Sequence, residues 1–460
     1  MAEFRFALAA FFVLLALGGN PARSPAAEPA RTEPGAEKVL TLEAKGKELT
    51  IEDAVRNALE NHPTIKAARE RVGAQGAVLR QQFAAYYPTI NFNSFLRSGT
   101  QSSGGEGNNF ARFSAQGQTN ASFTLYNFGK REGAVQSARE TLSATQYNLK
   151  TTADTVVLGV KQAYYSYLQA IALVRVREET VRDRDLIVRQ AQAFYDVGTR
   201  ARIDFVRAQS NLFSAQSDLI AAQNAMRVSW VTLKNAMGLP DLPEQPVSSV
   251  PASQVESFAV TTFPLTLEQA RSQAFSIRPE LQSFDAQLRA QDQIIATNRR
   301  GHLPDLLADA NYSHRTKSNY SNSDAADAFH FQPSWQAQLS LNIPIFDGFR
   351  TTNRIEESVR TYYAIKSQAE QQKQQVALEV EQGYANVGSA QERIKATRAA
   401  EQAARENLEL ANGRYQVGVG SIIEVTDAQA LYVSAEVDYV NSLYNYKIAE
   451  AQLLRAVGTP

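Results

Sequence analysis

Residues 113–125 read Phe113-Ser-Ala-Gln-Gly-Gln-Thr-Asn-Ala-Ser-Phe-Thr-Leu125. The odd positions are Phe113, Ala115, Gly117, Thr119, Ala121, Phe123 and Leu125. The even positions carry only amides and hydroxyls: Ser114, Gln116, Gln118, Asn120, Ser122 and Thr124. Successive side chains point to opposite faces of a strand, so this period of two predicts a strand with one apolar face and one uncharged polar face. The pattern returns at 331–343. Phe331, Pro333, Trp335, Ala337, Leu339, Leu341 and Ile343 alternate with Gln332, Ser334, Gln336, Gln338, Ser340 and Asn342. Such strands fit the wall of a membrane β-barrel, with lipid on one side and water on the other. At roughly 10 residues or more they are long enough to cross a bilayer. A soluble antiparallel sheet with one dry face gives the same alternation, so the period alone leaves both open. Pro333 counts against a regular central strand unless it lies at the rim or a bulge.

Each alternating stretch follows a less regular one, so four strands are expected, at about 89–97, 112–126, 305–315 and 330–346. The joining loops, 98–111 and 316–330, are rich in Gly, Ser and Asn, as exposed turns are. Four strands cannot close. Open sheet edges are not tolerated in lipid, so a membrane sheet needs a barrel of about eight or more strands. If the strands lie in a membrane, the barrel is shared among chains.

The two stretches belong to two copies of one unit. Leu49-Thr50-Ile51-Glu52 returns 216 residues later as Leu265-Thr266-Leu267-Glu268, Pro63 as Pro279, and Tyr87-Pro88 as Leu303-Pro304. Further on the offset is 220: Tyr195 maps to Tyr415, Val197-Gly198 to Val417-Gly418, and Gly238-Leu239-Pro240 to Gly458-Thr459-Pro460. A change of four residues over so long a match means duplication. The first repeat is 49–240, the second 263–460, and the Pro- and Ser-rich segment 241–262 links them.

The rest of each copy reads as helix. Thr50 and Thr266 are N-cap candidates, and Thr266-x-x-Gln269 is a capping box. Pro63 and Pro279 divide a short helix from a longer one, which Pro88 and Pro304 end. From Gly129 to Asp196 there is no proline. Leu142, Leu149, Val156, Ala163 and Ala170 keep a coiled-coil spacing of seven, repeated loosely by Tyr362, Ala369, Val376, Gly383 and Ala390. A second stripe joins Val160, Tyr164 and Tyr167, matched by Val380, Tyr384 and Val387. A helix of this length spans ~100 Å. After the Val197-Gly198 turn, 203–237 returns as helix. Two shorter helices end to end would then flank one long one.

Composition supports this outline. The 460 residues carry 47 basic and 47 acidic side chains, four histidines and no cysteine. Zero net charge argues against a nucleic-acid partner. The missing cysteines exclude disulfide scaffolds, thiol enzymes and a lipidated N-terminal cysteine. The apolar run 6–18 behind Arg5, followed by small-residue cleavage sites, marks residues 1–24 as a signal peptide. Residues 25–48 are a flexible leader.

The ordered set of features resembles the TolC family of outer membrane efflux and secretion channels. It rests on the duplication, the Tyr87-Pro88 entry, the exits Leu125-Tyr-Asn-Phe-Gly129 and Ile345-Phe-Asp-Gly348, the tips Tyr195-x-Val-Gly198 and Tyr415-x-Val-Gly418, and the ends Gly238-x-Pro240 and Gly458-x-Pro460. The resemblance implies a mainly α fold with a β-barrel part. Duplicated coiled-coil hairpins would carry four strands per chain. A homotrimer would then form a 12-stranded outer-membrane barrel on a periplasmic helical tunnel. It implies a passive duct for efflux or type I secretion, with a periplasmic adaptor protein, an inner-membrane pump and outer-membrane lipid as partners, and no cofactor or metal.

The resemblance also places the informative charges at the helix-turn-helix tips. Glu424 and Asp427, three apart, share one helix face. Matching acids line and narrow the family's periplasmic entrance, where three chains would present six carboxylates that attract cations. Ser421-x-x-Glu424 is equally a capping box. The first tip carries Arg200, Arg202, Asp204 and Arg207, with Arg207 aligned to Asp427. Arg200, Asp204, Arg207, Glu424, Asp427 and Tyr415 are the expected pore and gate residues. The family's second-tip arginine falls on Gly420 here. Val197, Gly198, Val417 and Gly418 are the expected adaptor contacts. Histidines His62, His302, His314 and His330 are scattered, and no Walker A, H-E-x-x-H or strand-linked G-x-G-x-x-G motif is present, so no enzyme is expected. The competing function is a periplasmic coiled-coil scaffold without a pore, which explains the helices but not the alternating hairpins.

Overall fold

The computed structural model describes residues 49–102, 109–243, 264–316 and 331–460. The expected signal peptide and leader, nearly all of the linker, residues 103–108 of the first hairpin loop and 317–330 of the second lie outside the described residues. The first copy contains α1 (Ile51–Asn61), α2 (Pro63–Phe83), β1 (Thr89–Ser102), β2 (Asn109–Tyr126), α3 (Lys130–Asp196) and α4 (Arg202–Met237). The second contains α5 (Leu267–Ile277), α6 (Pro279–Arg299), β3 (Asp305–Thr316), β4 (Phe331–Asn342), α7 (Arg350–Gln416) and α8 (Ile422–Val457). Equivalent helices are equal in length: 11 residues for α1 and α5, 21 for α2 and α6, 67 for α3 and α7, and 36 for α4 and α8. The four-residue change of offset therefore falls within the strand hairpins.

Local chemistry fixes these boundaries. The Thr50 hydroxyl accepts the Asp53 N–H at 3.1 Å. Thr266 and Gln269 form the reciprocal capping box. Pro63 and Pro279 open α2 and α6, where a missing N–H costs nothing. Short 3₁₀ turns at Ala84–Tyr86 and Arg300–His302 deliver the chain to β1 and β3. The return from strand to helix passes two consecutive left-handed residues in each copy, Phe128-Gly129 and Gly348-Phe349. Arg300 donates to the Gly129 carbonyl at 2.9 Å. Lys130 meets Asp305 at 3.0 Å. The exit from one hairpin is thus tied to the entry of the next.

The four strands form one antiparallel sheet in the order β1-β2-β3-β4. The ladder sorts side chains by face. Asn91, Asn120, Asn311 and Gln336 are successive cross-strand partners, as are Asn93, Gln118, Ser313 and Ser334. Asn311 donates to Asn120, and Gln118 donates to the same oxygen at 2.7 Å. The opposite face carries Phe92, Thr119, Tyr312 and Trp335 in one row and Ile90, Ala121, Ala310 and Ala337 in another. Trp335 is 72 % and Phe92 70 % exposed, so this apolar face has no cover among the described residues. β1 and β2 run five and three residues further outward than the alternation marked. β4 stops at Asn342 and not at 346, because Pro344 has no N–H for the ladder. Pro333 is accommodated near the start of edge strand β4, opposite His314.

The core lies along the helices. Val160, Tyr164 and Tyr167 of α3 pack with Trp230, Leu233 and Met237 of α4 and with Ala54 and Ala58 of α1. Val380 and Val387 of α7 pack with Leu453 and Val457 of α8 and with Ala270 and Ala274 of α5. Of the seven-residue series, Ala163, Ala170, Val376 and Gly383 are buried; Leu142, Leu149, Val156, Tyr362, Ala369 and Ala390 are half-buried. α6 packs against both long helices and joins the copies. Ser283 donates to Asn148 at 2.8 Å, and Gln291 to the Ser358 carbonyl at 2.9 Å.

The shorter helices do meet end to end. Gly238, just past α4, lies so near the start of α2 that a Cβ would stand 2.7 Å from the His62 Cα. Gly458, past α8, abuts Ile277 and Arg278 in the same way. At the second junction Arg278 is 1 % exposed. It pairs with Glu280 at 2.9 Å and Glu379 at 2.6 Å, and Arg455 bridges the same two carboxylates at 3.0 and 2.8 Å. Burial pushes both carboxyls up, but the Arg278 hydrogen bonds and the two guanidinium charges outweigh it and leave them below their ordinary values. His62 stands at the equivalent place in the first copy, where its ring accepts the Thr64 N–H.

Candidate functional site: the two helix-turn-helix tips

Each tip is built by a glycine. α3 and α7 end at Asp196 and Gln416, and the chain reverses through Gly198 (φ +78°) and Gly418 (φ +88°). A side chain would be strained at either. Val197, Val417 and Val419 stand at the apices, each at least 70 % exposed.

The structure brings the two tips together. Ile187, Ala191 and Ala208 of the first hairpin bury against Ala411, Tyr415, Ile422, Val425 and Ala428 of the second, with Phe194 and Phe205 at the edge. Tyr415 is 1 % exposed and meets Phe194 edge-on at 5.7 Å. The Arg200 guanidinium lies 5.1 Å over the Tyr415 ring and donates to the Gly420 carbonyl at 2.9 Å. The second tip needs glycine at 420. A Cβ there would stand 2.9 Å from the Tyr415 backbone nitrogen. The arginine that the resemblance places at 420 is thus excluded by packing, and Arg200 supplies a guanidinium from the other tip.

The Tyr415 hydroxyl is buried with no hydrogen-bond partner among the described residues. Burial raises its pKa, with the Asp204 charge adding and Arg200 opposing. Asp204 is half-buried in the first turn of α4.

Glu424 and Asp427 are both exposed on the outer face of α8. The expected capping box is only half formed. Ser421 accepts the Glu424 N–H at 3.2 Å, but the Glu424 carboxylate turns to Arg414 at 3.3 Å. That partner was not anticipated, although Arg414 sits beside Tyr415 in sequence. Asp427 and Arg207 are exposed and have no ion-pair partner among the described residues; no bond joins them. The structure thus connects Arg200, Tyr415 and Gly420, holds Glu424 to Arg414, and leaves Arg207 and Asp427 facing outward. Among the described residues no group of side chains is arranged to hold a metal ion, and no helix is long and apolar enough to cross a membrane.

The profile of the outer membrane efflux protein family matches residues 54–239 and 270–459, once per copy. The chain belongs to this family. The chain is 26 % identical over 340 residues to the outer membrane protein TolC of Vibrio cholerae, covering 71 % of this chain and 72 % of that one. It is 23 % identical over 421 residues to a probable efflux pump outer membrane protein, TtgC, of Pseudomonas putida, covering 89 % and 82 %. Its fold is that of solved CusC (TM-score 0.76, 21 % identity, 89 % of this chain and 92 % of that chain). It also matches VceC from Vibrio cholerae (TM-score 0.71, 16 % identity, 89 % and 96 %). The chain therefore resides in the outer membrane, with its helices on the periplasmic side.

Proposed function

We propose that three chains assemble a passive exit duct through the outer membrane, with a 12-stranded barrel above a helical tunnel that opens at the tips. One observation carries the reading. The four-stranded sheet has an amide face, an uncovered apolar face and two unpaired edges, β1 and β4. Lipid requires such edges to be paired, and pairing β4 of one chain with β1 of the next closes the sheet. The duct has no energy source of its own. An inner-membrane pump drives transport, and a periplasmic adaptor docks on the exposed Val197-Gly198 and Val417-Gly418 turns. Arg200, Tyr415 and Asp204 hold the two hairpins of each chain together. Glu424 and Asp427 narrow the entrance with negative charge, and Arg207 lies at the neighbouring face to receive them.

The absence of native cysteines allows a clean test. Single cysteines are placed along β1 and β4, and the protein is cross-linked in isolated outer membranes. Pairs in register are expected to give covalent species ending at three chains. A ladder ending at one or two overturns the shared barrel. For the entrance, Asp427→Arg and Arg207→Glu are compared by single-channel conductance in planar bilayers. Unchanged conductance and ion selectivity in both variants overturns the tip as the gate.

A further inference from the structure

Along the amide face, the charges among the described strand residues change sign from the helix end outward: acidic at Asp305 and Asp309, basic from Arg315 on. Asp305 lies at the helix end and is neutralised by Lys130. Asp309, four residues outward, is paired across the ladder with Ser122 and Gln338. Next come the uncharged rows of Asn311 and Ser313. Arg315 then shares a row with Gln116 and Gln332. Arg315 is exposed and, like Asp309, has no ionic partner among the described residues. At about 3.3 Å per residue, the six steps from Asp309 to Arg315 separate the charges by ~20 Å along the strand. Further out, Arg97 and Arg112 fall at ladder positions of the same parity, opposite Ser114 and Gly99. No acidic residue of that parity stands outward of Asp309 among the described strand residues.

We infer that the outer mouth of the duct is an anion-attracting vestibule whose defining residue is Arg315, so that the channel carries opposite fixed charge at its two ends and rectifies ion current. The inference rests on the three-chain duct proposed above. Closure repeats Arg315 three times around one lumen. A ring of arginines within a low-dielectric wall concentrates anions, as rings of acids concentrate cations. In series with an acidic entrance, each polarity then fills or empties the lumen of mobile ions. The ligand class of the vestibule is multivalent inorganic or organic anions, free or carried on cargo. The row of amides below supplies neutral donors and acceptors and sets no sign of its own.

Planar-bilayer recording tests this with the intact protein inserted in one orientation. At 0.1 M KCl the current at one polarity is expected to exceed that at the other by about twofold or more, and the asymmetry to fade at 1 M, where the screening length falls to about 3 Å. Inorganic tripolyphosphate is expected to block from the outer side and not from the tip side. Arg315→Glu is expected to abolish both the block and the asymmetry and to shift the reversal potential in a salt gradient toward cations. Arg315→Gln is expected to fall between. Open channels with symmetric current, or with side-specific block unaltered in Arg315→Glu, overturn the inference and leave the duct standing. Inserted protein without conductance overturns the duct as well.

Discussion

Gly420 and Arg200 show how one position can settle another 220 residues away. The carbonyl of Gly420 is open to a guanidinium because no side chain crowds the turn, and the turn is tight because no side chain fits it. Gly420→Ala is expected to destabilise the tip by roughly 1–3 kcal/mol through overpacking. Faster amide exchange confined to residues around 194–208 and 411–428 checks it. Glu436 shows a different dependence on neighbours. Burial pushes its carboxyl up, the negative charges of Glu179, Glu401 and Asp183 add to this, and Arg405 opposes, leaving it at about 7. The folded value lies above the unfolded value of about 4.3, so the folded state holds the extra proton. Its contribution is complete below about pH 4.3 and is lost as pH rises through 7. Glu436→Gln is expected to flatten the fall in melting temperature between about pH 4.5 and 7. An unaltered pH profile would remove Glu436 as its source.

At the level of elements, the helices and strands followed from period, proline and capping residues. Thr266-Gln269 made the box it spelled, and Pro63 and Pro279 opened helices where a lost donor is harmless. Ser421-Glu424 spelled the same box and made half of it, because Arg414 competes for the carboxylate. Pairing of that kind depends on which helix lies alongside, and a single chain's pattern does not carry it. The same holds for the Arg278 cluster and for the contact between the tips, each assembled from segments about 80–220 residues apart. The helix junctions belong here too. Gly238→Ala combines a left-handed φ with a backbone clash and is expected to cost roughly 1–3 kcal/mol. Arg278→Ala leaves the half-buried Glu280 and Glu379 to Arg455 alone and is expected to cost about 3 kcal/mol. Thermal melting of both variants checks the order. A larger loss for Gly238→Ala would show that the charge cluster adds little. Because Glu280 and Glu379 lie below their ordinary values when folded, the cluster's contribution is present above about pH 4.3 and fades as the solution becomes more acidic.

The molecule as a whole is a duplication that did not leave two independent halves. β2 pairs with β3, α6 packs on α3 as well as α7, and α8 reaches α3 through Asn441 and Gln169 at 2.7 Å. Residues 49–243 expressed alone are therefore expected to lack cooperative unfolding, and to regain it when 244–460 is co-expressed. Cooperative melting of the isolated half would mean that the seam between the copies is dispensable. Equal helix lengths have a mechanical consequence. Each copy sets one unbroken strut beside one that is cut, and the cuts come at the same distance from the tip because the 36-residue helices match. In the closed tube proposed above, those cuts would line up on one circumference, like mortar joints laid without a stagger. Such a wall would flex at that course and stay stiff above and below it, and among the described residues only every second joint there, the one at Arg278, is riveted by charge.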